Sequence, residues 1–387
     1  MVNLSKPVSL AYKVTRTLAS KLFYLRRDLE INEEFREDYS KLEKKLRVDN
    51  EVLRQHRKMW LGWSESFRLP RTEMDLYYSL SGVQRPDFVP IGVYFNTINA
   101  TINNRLMAWG YAQKGNYARM FDIDNEPLSL FRNLNGIFYD FKGHPVKEPE
   151  QFLNESLKEQ QKILVKPAVD SSGGKKIAVF ERDRNGKWQC LNDELDLNLS
   201  VLQRFYGNNY VVQEYVEQHP FYSRFNPSSF NTIRLYVYRS PKDEKPRVMH
   251  SVMRIGGKGS VVDNVKAGGM PVYIDSDGIV RYGFNSQMKR FLSFPLEPEV
   301  KFSELGKAPG LDDMKALAVK VAEKVPYNRL IAFDTNLDKN GKPRVIELNN
   351  YDAGIAIQIF GIPLFGDYTE EVIEYCKSHK KEDILRV

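Results

Sequence analysis

Apolar residues recur along this chain with two different periods, and the change of period divides it. From residue 8 to about 60 the spacing is helical. Leu10, Val14, Leu18, Leu22, Leu25 and Leu29 form one stripe, with Lys13, Arg16, Lys21, Arg26 and Arg27 around it. A basic amphipathic helix can lie on a membrane surface. More often such a stripe turns onto the chain's own core, and that is the expectation here. A second charged helix is expected over 43–58, close to Trp60 and Trp63. Residues 75–150 are mixed: a loop at 85–90, a strand-like run at 91–95, a helix over 100–109, and Asn135-Gly136 as a turn between Phe131 and Phe138.

Beyond residue 160 the period falls to two. Short strands are expected at 162–167, which carries Lys166, at 177–180, and at 210–216, with Gln213 and Glu214. Residues 231–238 alternate. Ile233, Leu235 and Val237 share one face and leave Arg234, Tyr236 and Tyr238 on the other. Another strand, 248–255, carries Arg254. Helical period returns at 312–325, where Met314, Leu317, Ala318, Val321 and Val325 make one stripe. Thr369 is expected to cap a last helix, with Val372, Ile373 and Cys376 inside.

The candidate chemistry concentrates at 331–350. Two apolar strands flank Asp338-Lys339-Asn340-Gly341, a run with turn chemistry. Strict alternation would put Val345, Glu347 and Asn349 on one face and Ile346 and Leu348 on the other. Asp334, on the partner strand, can join Glu347 and Asn349 across the hairpin. Two carboxylates and an amide oxygen are hard donors that suit Mg²⁺, with room for phosphate oxygens. A calcium loop starting at Asp334 does not fit, because Lys339 stands where its glycine belongs and Val345 where its glutamate belongs.

A second set surrounds Ser171-Ser172-Gly173-Gly174, between the strand ending in Lys166 and the next. Backbone N–H groups of such a turn can cradle a phosphate, and Lys166 can reach it as a point charge. It is not a Walker A loop, since no Gly-Lys-Ser/Thr stands at the required spacing. A long Gly-rich connection after Arg254 contains Asp263, Asn264 and Gly268-Gly269.

Composition adds limits. With 387 residues, 42% of them hydrophobic and 12% aromatic, two or three packed subdomains are expected. The start of the chain lacks the compact apolar segment of a secretory signal. Cys190 and Cys376 fit no metal or redox spacing, so a reducing cytoplasm is the expected location. The net charge of +7 suits an anionic ligand such as a nucleotide, an acidic sugar or an anionic lipid surface, without choosing among them.

The order of these signals, rather than any one of them, resembles the ATP-grasp superfamily over roughly residues 110–375. Asn231-Thr-Ile-Arg234, Asp263-Asn264 with Gly268-Gly269, and Glu347-Leu-Asn349-Asn350 look most like the sugar-transfer-associated ATP-grasp family. The resemblance implies an α+β fold in which two α/β subdomains clamp ATP, with a helical N-terminal region. The expected division is a helical charged region over 1–75, a small α/β lobe over 76–155, an N-subdomain over 156–220 and a C-subdomain over 221–387.

It also implies roles. Lys166 and Lys114 would contact the ATP phosphates. Ser171, Ser172, Gly173 and Gly174 would form a flap over them. Gln213, Glu214, Tyr215 and Val216 would be the adenine hinge, and Glu217 a ribose ligand. Asp334, Glu347 and Asn349 would hold Mg²⁺. Arg234 would stabilise the transferring phosphoryl group, with Arg254 and Asn264 beside it. Thr232 departs from the pattern, because several related ligases carry an acidic residue two before the arginine, so substrate contacts there are not carried over.

The implied function is an ATP-dependent carboxylate–amine ligase working through an acyl phosphate. Its carboxylate would be a uronic acid of a capsule or O-antigen precursor, and its other partner a small amine or amino acid. The general base would be a carboxylate such as Asp263, or the amine would arrive already deprotonated. Nucleic acid is not an expected partner; contact with the inner face of a membrane or with a glycosyltransferase is. The alternative with the same nucleotide site is a kinase acting on a hydroxyl. A third reading, a nucleic-acid or membrane binding protein, would use Arg234 with Tyr236 and Tyr238 as a stacking face.

Overall fold

A computed structural model describes residues 6–66, 68–117, 126–169, 176–260, 263, 268–294 and 297–379. The chain opens with three helices, α1 (Lys6–Lys41), α2 (Asn50–Trp60) and α3 (Arg71–Ser81). Helix α2 begins seven residues later than the expected 43, because the Asp49 side chain accepts from the Glu51 amide and sets the first turn there.

Residues 91–95, expected as a strand, are helical. Ile91–Val93 leads into a π-turn at Tyr94–Ile98 and then into Asn99–Ile102. Val93, Tyr94, Ile98 and Ile102 are buried at helical spacing, which so short a run does not reveal as a period. The helix expected over 100–109 breaks at Asn103. The side-chain amide of Asn103 donates to Leu330 O and Asn350 O, and its Oδ1 accepts from the amides of Arg329 and Leu330. Asn104 then caps a new helix, Arg105–Tyr111.

Two sheets follow. The first holds β1 (Ser129–Leu134), β2 (Ile137–Tyr139), β3 (Lys162–Pro167), β4 (Ala178–Arg182), β5 (Trp188–Cys190) and β6 (Asn209–Glu214). Its order is β2-β1-β6-β3-β4-β5, antiparallel throughout. Leu153 and Leu202, from the helices Pro149–Ser156 and Leu199–Tyr206, close the core on one of its faces. The expected lobe at 76–155 is therefore divided, with 129–139 in this sheet and 91–111 packed elsewhere.

The second sheet holds β7 (Thr232–Arg239), β8 (Pro246–Ile255), β9 (Met270–Ile274), β10 (Val280–Phe284) and β11 (Arg290–Phe291). A small pair, β12 (Ser293–Phe294) and β13 (Glu297–Lys301), stands apart. The hairpin β14 (Leu330–Leu337) and β15 (Pro343–Asn349) then completes the order β11-β10-β9-β8-β7-β14-β15.

Both faces of this sheet are buried. Ile233, Leu235, Val237, Ile331 and Phe333 pack under the helix Leu311–Glu323. Tyr236, Tyr238, Leu330 and Ala332 pack against Trp60, Leu76, Tyr94 and Ile98 of the N-terminal helices and against the last helix, Thr369–Ser378. Tyr236 and Tyr238 are thus core residues, 2% and 1% exposed, and present no stacking face beside Arg234. Thr369 does not cap its helix; its hydroxyl donates to Gly366 O.

The expected packing of the α1 stripe is reversed. Tyr24, Asp28 and Asn32 are buried instead, while Val14, Leu18, Leu22, Leu25 and Leu29 are 45–66% exposed. A polar contact joins the docked face: Asp28 accepts from the Asn96 amide at 2.9 Å, and its Oδ1 lies 2.6 Å from where a Cβ on Gly92 would stand.

Candidate active site

The two sheets face each other across a cavity of about 500 Å³. Apolar side chains of the first sheet line one end, Leu164, Ile177 and Val179, with Tyr215 and Val216 where the chain leaves β6. Beside them Gln213, 3% exposed, donates to Pro127 O and Ser129 Oγ. The Glu214 carboxylate is held by the Leu128 amide and Arg344. A flat apolar slot next to a freshly ended strand offers backbone groups to a heteroaromatic ring. Glu217 is not part of it. Its carboxylate pairs with Lys339 in the β14–β15 turn, 3.0 Å away, and it does not line the cavity.

Lys166 and Lys114 meet at the middle. Lys166 sits on β3, and the Lys114 amide donates to Ala168 O just past that strand. Gly115 permits the approach, since a Cβ there would stand 2.4 Å from the Leu134 side chain. Lys114 pairs with Glu347 Oε1 at 3.0 Å. Lys166 is 6% exposed, and among the described residues no side chain or carbonyl hydrogen-bonds its ammonium. Burial lowers its pKa to about 8. Lys114 acts in the same direction, while Glu347 and Glu126 oppose it.

The hairpin stands opposite. Asp334 and Glu347 are direct cross-strand partners, and Asn349 donates its amide to Asp334 Oδ2 at 3.1 Å. Alternation alone does not produce this arrangement. The register slips between Asp334 and Thr335, leaving Ile346 as a bulge. Val345 consequently lies in the core with Leu348, not beside Glu347 and Asn349 as strict alternation requires.

Arg234 is the registered partner of Asp334 on β7 and grips it with two bonds of 2.8 Å. Arg254 on β8 reaches Asp334 Oδ2 at 3.0 Å and Asp263 at 3.2 Å. Burial opposes ionisation of Asp334, yet Arg234 and Arg254 prevail and hold its carboxyl at about 2. Burial raises the Asp263 pKa; the Thr232 hydroxyl donates to that carboxylate. Asn231 is structural: its side chain binds Gln218, Tyr222 O, Asn226 O and the Gly256 amide, fixing the start of the Gly-rich connection. The flap residues Ser171, Ser172, Gly173 and Gly174, and Asn264, lie outside the described residues.

The fit to a divalent cation can be judged from the open oxygens. No cluster of three or more acidic, histidine or cysteine ligands occurs among the described residues. The set is two carboxylates and an amide. Asp334 Oδ1 carries one hydrogen bond, and among the described residues Glu347 Oε2 and Asn349 Oδ1 accept none. Hard oxygens with spare lone pairs, facing a buried ammonium with no partner among the described residues, suit a magnesium-bound polyphosphate.

Sequence reasoning did not find the far end of the cavity. There Trp109 and Tyr351, each 39% exposed, stand 5.1 Å apart between ring centres, and Asp352 follows. Burial raises the Asp352 pKa, against the Gly354 amide and Arg27. The available signal was position: Tyr351-Asp352 directly follows the strand bearing Glu347 and Asn349.

Two antiparallel sheets closing on such a cleft, lysines on one and a carboxylate hairpin on the other, form the ATP-grasp fold. The chain belongs to the sugar-transfer-associated ATP-grasp family, whose profile matches residues 137–369, more than half its length. No curated protein matches it. Among solved structures, the ATP-grasp ligase PsnB, complexed with minimal precursor, Mg and ADP, aligns at 14% identity and a TM-score of 0.39, over 71% of this chain and 62% of PsnB. D-alanyl-alanine synthetase A of Vibrio cholerae aligns at 14% and 0.38, over 69% of this chain and 64% of its own. Biotin carboxylase of Campylobacter jejuni aligns at 12% and 0.41, over 73% and 49%. This chain thus spans less than two thirds of the length of each.

Proposed function

We propose that the protein is an ATP-dependent carboxylate–amine ligase acting on an acidic sugar of a surface-polysaccharide precursor. The observation that carries the reading is Lys166, a buried ammonium without a described partner, in one cavity with the open oxygens of Glu347 and Asn349 and the arginine-bound carboxylate of Asp334. The acidic sugar rests on the family's association with sugar transfer, and the half-exposed pair Trp109 and Tyr351 suits a sugar ring.

Direct exchange at a carboxylate would expel oxide. Phosphorylation first gives an acyl phosphate and ADP, and the amine then displaces phosphate. Lys166 and Lys114 bind the phosphate oxygens. Asp334, Glu347 and Asn349 would hold Mg²⁺, which supplies charge neutralisation at those oxygens when bound. Arg254 and Arg234 face the transferring group and stabilise charge that grows there. Asp263, which lines the same cavity, would take the amine's proton.

The test supplies ATP and Mg²⁺ with uronic-acid sugar nucleotides and small amines, followed by mass spectrometry. ADP, free phosphate and a sugar heavier by the amine minus water establish the ligase. ADP with a phosphorylated sugar and no free phosphate overturns it in favour of a kinase.

A further inference from the structure

Part of α1 is left uncovered by the described residues of the fold. Five large apolar side chains project from it, Val14, Leu18, Leu22, Leu25 and Leu29, all 45% exposed or more. At 3.6 residues per turn they fall within an arc of about 80°, and Lys21 and Arg26 stand on its two borders. Residues 1–27 contain six basic side chains and no acidic one. From Asp28 to Lys41 the balance reverses, with six acidic residues against two basic. The change of sign coincides with the docking point, where Tyr24, Asp28 and Asn32 are buried against the body.

We propose that the basic half of α1 is a peripheral anchor that lies on an anionic phospholipid surface. The stripe enters the headgroup boundary, and Lys21 and Arg26 reach outward along its borders to lipid phosphates. The acidic residues from Glu30 onward are repelled by the same surface, and that part of the helix stays with the body. A second copy does not fit the stripe as well. Residues 14–29 carry four basic side chains and one acidic, so two stripes face to face oppose like charge in either direction. No helix among the described residues is long and apolar enough to cross a membrane, so the contact is with one leaflet. The anchor also lies beside the cavity's far end. The Arg27 guanidinium covers the Phe95 ring at 4.1 Å, and Tyr351 and Asp352 act on its charge.

The proposal is tested by flotation of the full chain with vesicles of phosphatidylcholine alone and of phosphatidylcholine with phosphatidylglycerol. The wild type is expected to float with the anionic vesicles at least tenfold more than with the neutral ones, and to be released by salt. The double variant Leu18→Glu/Leu22→Glu is expected to lose that binding at least tenfold while keeping its melting temperature. Arg26→Glu is expected to weaken it without abolishing it. Equal recovery with both vesicle types, or equal binding by the double variant, overturns the anchor. So does a dimer by light scattering that the double variant converts to monomer, which assigns the stripe to a second copy. Salt-resistant capture of a protein partner with no vesicle binding also overturns it.

Discussion

Lys166 is the residue on which the nucleotide reading depends, and its titration makes the reading measurable. Its pKa is lowered to about 8, so the free protein loses this charge as pH rises through that value. Phosphate prefers the charged form, and the KM for ATP is expected to climb above pH 8. Lys166→Arg, which stays charged, should flatten that climb. The same shift affects stability with the opposite sign. Between about 8 and the ordinary lysine value the unfolded chain binds the extra proton, so stability rises with pH there. Arg254 bridges Asp334 and Asp263. Arg254→Ala is expected to lower kcat by about 10²–10³ with little change in the KM for ATP, read from steady-state rates. Most of these side chains were visible in the sequence because strands place them singly: Arg234 between Ile233 and Leu235, Glu347 and Asn349 two apart. Lys114 was the weaker of the two lysine candidates because it reaches the site by a turn that only Gly115 allows.

Elements were legible where one period ran long enough. The stripe of Leu311–Glu323 and the alternation of β7 are of that kind. The bulge at Ile346 was not, because a register slip leaves no mark in polarity. Val345→Ala should register this difference, because strict alternation would put that side chain at the cavity and the bulge puts it in the core. The expected cost is about 1.5–3 kcal/mol for that side chain, measured by denaturant unfolding. The α1 stripe was legible as a stripe but misled about its partner, since Asp28 with Asn96, and the aromatic Tyr24, Phe35 and Tyr39, hold a different face against the body. Helix α3 carries a comparable polar anchor. Glu73 is buried, accepts from the Ile91 amide and Tyr77, and is pushed by burial up to about 8. A carboxyl raised in the folded state adds stability below its unfolded value near 4.5 and loses it as pH rises toward 8. Melting temperature should therefore fall across that interval in the wild type and fall less in Glu73→Gln.

At the scale of the molecule, the β7–β14 sheet needs both its coverings. The helix over one face was expected from its stripe. The covering of the other face was not, because it is assembled from α2, α3, residues 91–111 and the last helix, hundreds of positions apart. No local pattern announces such a contact. Removing residues 1–111 would strip Tyr236, Tyr238, Leu330 and Ala332 of their cover, and that fragment is expected in the insoluble fraction on expression.

This double covering has a mechanical consequence. A sheet packed on both sides is stiff, and here it carries Arg234, Arg254, Asp334 and Glu347. The other sheet has one packed face; its second face is the wall of the cavity. The molecule is therefore an anvil and a lighter jaw, with the arginines and the carboxylate hairpin on the part that yields least and the apolar slot and Lys166 on the part that yields more. Hydrogen exchange should record the difference directly, with the amides of β7 and β14 the slowest to exchange and those of β4 and β5 well ahead of them. Nucleotide analogues should slow the jaw and leave the anvil almost unchanged.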